Sequence, residues 1–182
     1  IDNTLSSLRV AVYVPEHKHK IRISTGSGVT DFEVLLPNII LECLMTPRDG
    51  GLAMTKYALY CTSLPAYEVS SRYQKGWRRI ENSGSGSSDA KGFYKLPLTN
   101  MYEEGYLCLG SNSVPNLHSP VDLSDIMRYY EIAVDAVGNN DLSIRALNRD
   151  SKMYQVLQSD GLTGFFRHWV KMTDPIYSQL QG

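Results

Sequence analysis

Apolar and polar residues alternate near the start of the chain, where Leu8, Val10, Val12 and Val14 are separated by Arg9, Ala11 and Tyr13. A period of two predicts a half-buried strand. Pro15 to Lys20 forms a polar break, after which Ile21 and Ile23 alternate with Lys20 and Arg22. The simplest expectation is a β-hairpin with its loop around Glu16-His17-Lys18-His19. Asp31 to Met45 is apolar and ambiguous; it accommodates a strand over Phe32–Leu36, then a short helix or strand after Pro37. Pro47-Arg48-Asp49-Gly50-Gly51 reads as a turn. Tyr57–Thr62 reads as a buried strand, with Tyr57, Leu59 and Cys61 set against Ala58 and Tyr60.

Between Pro65 and Gly92 the chain is polar and aromatic, and Ser83-Gly84-Ser85-Gly86-Ser87-Ser88 has the composition of a flexible loop. That tract lacks the Gly-Lys-Ser/Thr ending of a phosphate-binding loop. The last third changes period. Ile126, Tyr129, Tyr130, Ala133, Val134 and Val137 fall on one stripe of a helix. Ser119 or Asp122 suits its N-cap, Pro120 suits a first helical position, and Gly138 suits its end. Leu162, Phe165, Phe166, Trp169 and Val170 repeat the stripe before Asp174-Pro175 stops a second helix. A strand-rich front followed by helices predicts an α+β fold. It takes the form of an antiparallel meander of about four strands, then helices. No internal repeat is visible, and 182 residues fit a single domain with an extended β-rich region over about residues 1–50.

Composition narrows the function classes. With 42% hydrophobic and 20% charged residues the chain can bury a sizeable core and stay soluble. A net charge of -1 makes a broad nucleic-acid-binding surface unexpected. No apolar run approaches the roughly 18–20 residues that span a bilayer, and no secretory leader is read. The first residue is Ile1 rather than Met, which leaves room for a preceding segment. Cys43, Cys61 and Cys108 are an odd set without CxxC spacing, which suits neither a disulfide framework nor a zinc site. Reduced thiols in the cytoplasm are the expectation. His17 and His19 have no third ligand nearby, so neither metal nor cofactor is expected.

Candidate chemistry lies between the two halves, in Leu96-Pro97-Leu98-Thr99-Asn100-Met101-Tyr102-Glu103-Glu104-Gly105-Tyr106-Leu107-Cys108-Leu109-Gly110. Glu103-Glu104-Gly105 reads as a tight turn between two extended pieces, with Gly105 free to take a positive φ. A chain that doubles back there brings Asn100 near Cys108. Such a pair suits acyl transfer, since a thiolate attacks a thioester carbonyl and a carboxamide can stabilise the resulting oxyanion. Asn100 equally suits a structural role as a turn-capping residue.

This segment resembles the active-site region of ubiquitin-conjugating enzymes. Asn100, Gly105, Cys108 and Leu109 match that family's order and spacing. The segment is more similar still to the bacterial ubiquitin-conjugating-enzyme-like family D, which includes the B protein of PRTRC plasmid cassettes. Pro97, Asn100, Tyr102, Gly105, Cys108, Gly110, Ser111 and Asn112 fit that family's pattern. Leu98 and Thr99 stand where the eukaryotic motif has His and Pro, and Leu107 stands where some relatives have an acidic residue. The resemblance covers about 17 residues, Leu96 to Asn112. It implies a ubiquitin-conjugating-enzyme-like fold and a transferase that carries a ubiquitin-like modifier as a thioester on Cys108. It implies Asn100 as oxyanion donor, and His118 as a group that lowers the thiol pKa or accepts a proton. The implied partners are the modifier, an adenylating activating enzyme and a deconjugating metalloprotease, and the implied settings are antiphage defence or plasmid maintenance.

Each residue has a plainer reading. Cys43 and Cys61, in apolar strings, are expected in the core. His118 reads equally as an exposed loop residue, and Asp122 and Asp125 as cap and first-turn carboxylates. Lys75-Gly76-Trp77-Arg78-Arg79 reads as a solvated surface, with a partner-docking patch or a nucleic-acid contact as the alternative. The Phe165/Phe166/Trp169 stripe reads as core. Two rival functions remain: an inactive variant of the same fold that binds a modifier or scaffolds a complex, and a β-rich structural or assembly protein.

Overall fold

The structure is a computed structural model that describes residues 7–25, 27–48, 51–75, 92–96, 98, 100–101, 107–112 and 122–139. Its elements run β1 (Leu8–Val14), β2 (His17–Thr25), β3 (Gly28–Leu36), β4 (Asn38–Arg48) and β5 (Gly51–Thr62). They are followed by α1 (Ala66–Gln74), β6 (Phe93–Lys95), α2 (Leu123–Asp135) and β7 (Gly138–Asn139). The fold is α+β. The second expected helix, over residues 162–170, lies outside the described residues.

Two sheets replace the expected meander. One has the order β1-β4-β5-β6 and the other β3-β2-β7. β1 pairs antiparallel with β4 over its whole length, Leu8 opposite Met45 and Val14 opposite Ile39. The expected hairpin through Glu16–His19 does not form, because His17 to His19 are already part of β2, which pairs with β3 instead. Proline supplies no N–H to a ladder, and Pro15 and Pro37 stand where the chain leaves the first sheet and returns to it. Asn38 closes this crossing. Its Oδ1 accepts from Glu16 N at 2.9 Å and its Nδ2 donates to Thr62 O at 3.3 Å. β3 begins at Gly28, earlier than expected, and the ambiguous stretch after Pro37 is strand.

The ambiguity of that stretch comes from burial on both faces. Ile39, Leu41, Cys43 and Met45 of β4 join Leu59 and Cys61 of β5 in the main core, against Ile21, Ile23, Val34 and Leu36 of the second sheet and the apolar face of α2. The intervening positions Ile40, Ala58 and Tyr60 join Phe93 and Val69 of α1 in a smaller core. A strand covered on both sides loses its alternation and reads as one apolar run.

Glu42 interrupts that run with its side chain fully buried. Arg9 Nη1 donates to its Oε1 at 3.0 Å, and the Tyr73 hydroxyl donates to Oε2 at 2.9 Å, with the Tyr60 hydroxyl 3.4 Å from the same oxygen. The Tyr60 hydroxyl donates to that of Tyr73. Tyr73 lies on α1, so the carboxylate ties that helix to the sheet.

The sequence pattern gave no sign of α1. Its N-cap is Pro65 without a side-chain cap, and Val69 is its buried aliphatic residue. Polar contacts hold the rest: Glu68 pairs with Arg72 at 2.9 Å, and the Arg72 guanidinium sits 5.4 Å above the centre of the Phe93 ring.

α2 follows its stripe closely, burying Ile126, Tyr129, Tyr130, Ile132, Ala133 and Val134. Asp122 is its N-cap; its carboxyl accepts from Ser124 N at 2.7 Å, which holds it below the usual carboxylate range. The helix ends at Asp135, short of the expected stop at Gly138. Ala136 turns to an extended conformation, Val137 is exposed, and Gly138–Asn139 pair in parallel with Ile23 and Ser24 of β2. No described helix is long and apolar enough to cross a membrane.

Replacing Arg9 by Met removes the guanidinium from a buried carboxylate. The Arg9→Met variant is expected to lose about 3 kcal/mol of stability, read as a shift in the urea midpoint. An unchanged midpoint would mean that Glu42 is satisfied without the guanidinium.

Candidate functional site

After β6 the chain contributes Leu96 and Leu98 to the main core, and Asn100 follows, 7% exposed. The chain then doubles back. Met101 and Leu107 form an antiparallel bridge, and Cys108 N donates to Asn100 O at 2.7 Å. The reversal expected from Glu103-Glu104-Gly105 therefore brings the backbone of Asn100 against that of Cys108. Residues 102–106 themselves, with Gly105, lie outside the described residues, as do Pro97, Thr99 and His118.

Along the returning piece, side chains alternate across the surface. Leu107 is buried in the main core, while Cys108 beside it is half-buried. The piece ends at Leu109, whose carbonyl accepts from Asn112 N and from Asn112 Nδ2, both at 2.9 Å. Gly110 has φ of +55° at the first central position of this turn, a conformation glycine adopts without strain. Gly110 and Asn112 thus have a local role: they stop the strand just past the thiol.

Asn100 points its carboxamide at the end of α2. Nδ2 donates to Ile132 O at 3.3 Å and to Ala133 O at 3.0 Å. Both carbonyls belong to the last turn of the helix; Ile132 O also accepts from Ala136 N at 3.2 Å, while Ala133 O is one of the end carbonyls that lack a partner from a following turn. Both amide hydrogens are engaged there, so donation to an oxyanion at Cys108 requires one of these bonds to be exchanged. The backbone of Asn100 meets Cys108 and its side chain meets the helix.

Tyr57 of β5 is the contact that sequence reasoning missed. Its hydroxyl donates to Leu107 O at 3.3 Å and accepts from Leu107 N at 3.1 Å. Its ring lies 4.8 Å from that of Tyr129 on α2, tilted by 53°. The available signal was a tyrosine, with its polar tip, among the inward positions of a strand otherwise lined by Leu59 and Cys61.

The three thiols differ in setting. Burial pushes Cys43 up to about 12, with the neighbouring Glu42 carboxylate adding to the effect, and burial pushes Cys61 up to about 12 as well. Cys108 is the thiol with a face to solvent. Tyr129 is pushed up to about 12 by burial and then by Tyr57 and Cys43, so its hydroxyl stays protonated.

The histidine pair of the sequence is used in holding α2. His17 Nδ1 bonds Pro15 O at 2.9 Å, so that nitrogen carries the proton, and Nε2 faces the Tyr130 hydroxyl at 2.8 Å. His19 Nε2 lies 2.9 Å from Asp135 Oδ1, and Arg22 donates to the Asp135 carbonyl. Among the described residues no group of three His, Cys, Asp or Glu side chains could hold a metal ion.

Two outcomes follow. In the folded protein iodoacetamide should label Cys108 and spare Cys43 and Cys61. A thiol at about 12 is thiolate in only about one molecule in ten thousand at pH 8, and mass spectrometry of the peptides reads this directly. Asn100→Ala should cost about 2 kcal/mol by removing the side-chain donor from the Ala133 carbonyl at the end of α2. Asn100→Asp should cost more, since it sets a carboxylate against carbonyls at the negative end of a helix; urea unfolding of both variants checks the order.

Comparison of the chain with protein-family models, with curated proteins and with solved structures finds no significant match.

Proposed function

We propose that the chain is a ubiquitin-conjugating-enzyme-like transferase whose acceptor for the modifier is Cys108. The observation that carries this reading is the reversal in which Asn100 O receives Cys108 N at 2.7 Å, leaving Cys108 half-buried while Cys43 and Cys61 are buried. The finer fold reading belongs to the same proposal: an antiparallel sheet ahead of the cysteine segment and a helix after it agree with a ubiquitin-conjugating-enzyme-like domain. The β2–β3 excursion then represents the extended N-terminal region.

The chemistry balances in two steps. The Cys108 thiolate attacks the carbonyl carbon of a thioester held on an activating enzyme. A new C–S bond forms, and the activating enzyme's sulfur leaves as thiolate. A target amine then attacks the Cys108 thioester, loses its proton to a base, and Cys108 departs as thiolate. The partners under this reading are a ubiquitin-like modifier, an adenylating enzyme and, in the same operon, a deconjugating metalloprotease. The setting is the cytoplasm, where thiols stay reduced. His118 is the proposed proton acceptor or thiol-activating group.

A second reading is favoured by a specific observation. The Asn100 amide donates to the Ile132 and Ala133 carbonyls and so is engaged away from Cys108, which suits a domain that binds a modifier without an oxyanion donor at the thiol. Under transfer, the oxyanion draws one N–H away from the helix. Under binding alone, the bonds stay.

The two separate on one experiment. The chain is incubated with ATP and with the activating enzyme and modifier encoded beside it, and its intact mass is measured. Transfer predicts an adduct of modifier mass that is lost with thiol reductant and absent from Cys108→Ala. Conjugation that proceeds unchanged in Cys108→Ala would refute the proposal, and equal non-covalent binding by both proteins without an adduct would establish the second reading.

A further inference from the structure

We infer that Tyr57 is a positioning residue for Cys108: its hydroxyl sets the register of the returning strand so that the thiol faces outward. The inference rests on the reading of Cys108 as the reactive thiol. Described pairing between β5 and β6 covers Tyr60, Cys61 and Thr62. Further back along β5, at Tyr57, the returning segment is reached by a side chain. A peptide unit in a ladder offers one donor and one acceptor, and the Tyr57 hydroxyl offers both to a single residue, accepting from Leu107 N and donating to Leu107 O. It occupies the place of a missing strand partner.

Register matters here because the side-chain period of an extended segment is two. A slip of one residue exchanges its inward and outward positions. Leu107 inward is 4% exposed, and its neighbour Cys108 is consequently the half-buried one. The slipped segment would turn the sulfur toward the core, where Cys43 and Cys61 show what burial does to a thiol. The bond from Cys108 N to Asn100 O holds the strand against its own returning partner. That partner is anchored to α2 by the Asn100 carboxamide, so this bond ties the segment to the helix and not to the sheet. Tyr57 ties the segment to a fixed sheet. Its ring is held in turn by Tyr129 of α2, at 4.8 Å.

The test uses Tyr57→Phe, which keeps the ring and removes the hydroxyl, with Tyr129→Phe as a control on the neighbouring ring. The rate at which iodoacetamide labels Cys108 is followed by mass spectrometry from pH 6 to pH 10. Tyr57→Phe is expected to label about fivefold more slowly at neutral pH, the weight of one hydrogen bond, with its pH–rate curve displaced upward. Tyr129→Phe should follow the wild type. Leu107→Ala, which removes the inward anchor without touching the tyrosine, should reproduce the slowing and serves if Tyr57→Phe does not fold. A merely stabilising tyrosine would lower the melting temperature and leave the pH–rate curve in place. Wild-type labelling across the pH range in Tyr57→Phe, or in Leu107→Ala should that variant stand in, would overturn the inference. Labelling reads the thiol without any modifier, so this result and the presence or absence of a thioester are decided separately.

Discussion

The carboxamide of Asn100 joins three parts of the molecule that are distant in sequence. Its Nδ2 caps the end of α2 through Ile132 and Ala133, while its backbone carbonyl holds Cys108. A buried amide left without partners is costly, and so are the orphan carbonyls of a helix end. Both are satisfied at once by this arrangement. Helix, reversal and thiol therefore share one geometry, and a change in the direction of α2 is passed to the cysteine through Asn100, as it is through the Tyr129–Tyr57 contact. On its far side the same helix end is gripped by His19 and Arg22 of β2, so the second sheet also bears on the site.

That arrangement gives Asn100 a structural use, whatever its role in chemistry. A donor pledged to backbone carbonyls can still serve a developing negative charge, provided the charge competes better than a peptide oxygen. An oxyanion is a stronger acceptor than a neutral carbonyl. The exchange would be driven by the intermediate itself, and the helix end would feel each turnover. In a protein that only binds, nothing displaces the amide and the helix end stays fixed.

What was legible in the sequence follows from how directly burial writes itself into periodicity. β1 has one face toward the core and α2 one stripe toward it, so both appear as clean patterns with nearly correct bounds. The reversal at Asn100–Cys108 was legible because turn residues sit between two extended pieces. Strand pairing was less so: nothing in Leu8–Val14 says that its partner is Asn38–Arg48 rather than the next strand along, since pairing is a non-local choice. Pro15 and Pro37 marked the crossings but read as ordinary breaks. α1 escaped because Val69 is its one buried aliphatic residue. Tyr57 escaped because a strand position reports that a side chain is inward, not what its hydroxyl reaches.

The attachment of α1 has a thermal consequence. The helix is held mainly by Tyr73 on the buried Glu42, by Arg72 over Phe93 and by one valine. Detaching it would also uncover Ile40, Tyr60 and Phe93, which form the smaller core beneath it, and so would carry an appreciable heat-capacity change. Its undocking should therefore be steep in temperature and accompany the loss of that face of the sheet rather than precede it, since the same event strips the cover from a buried carboxylate.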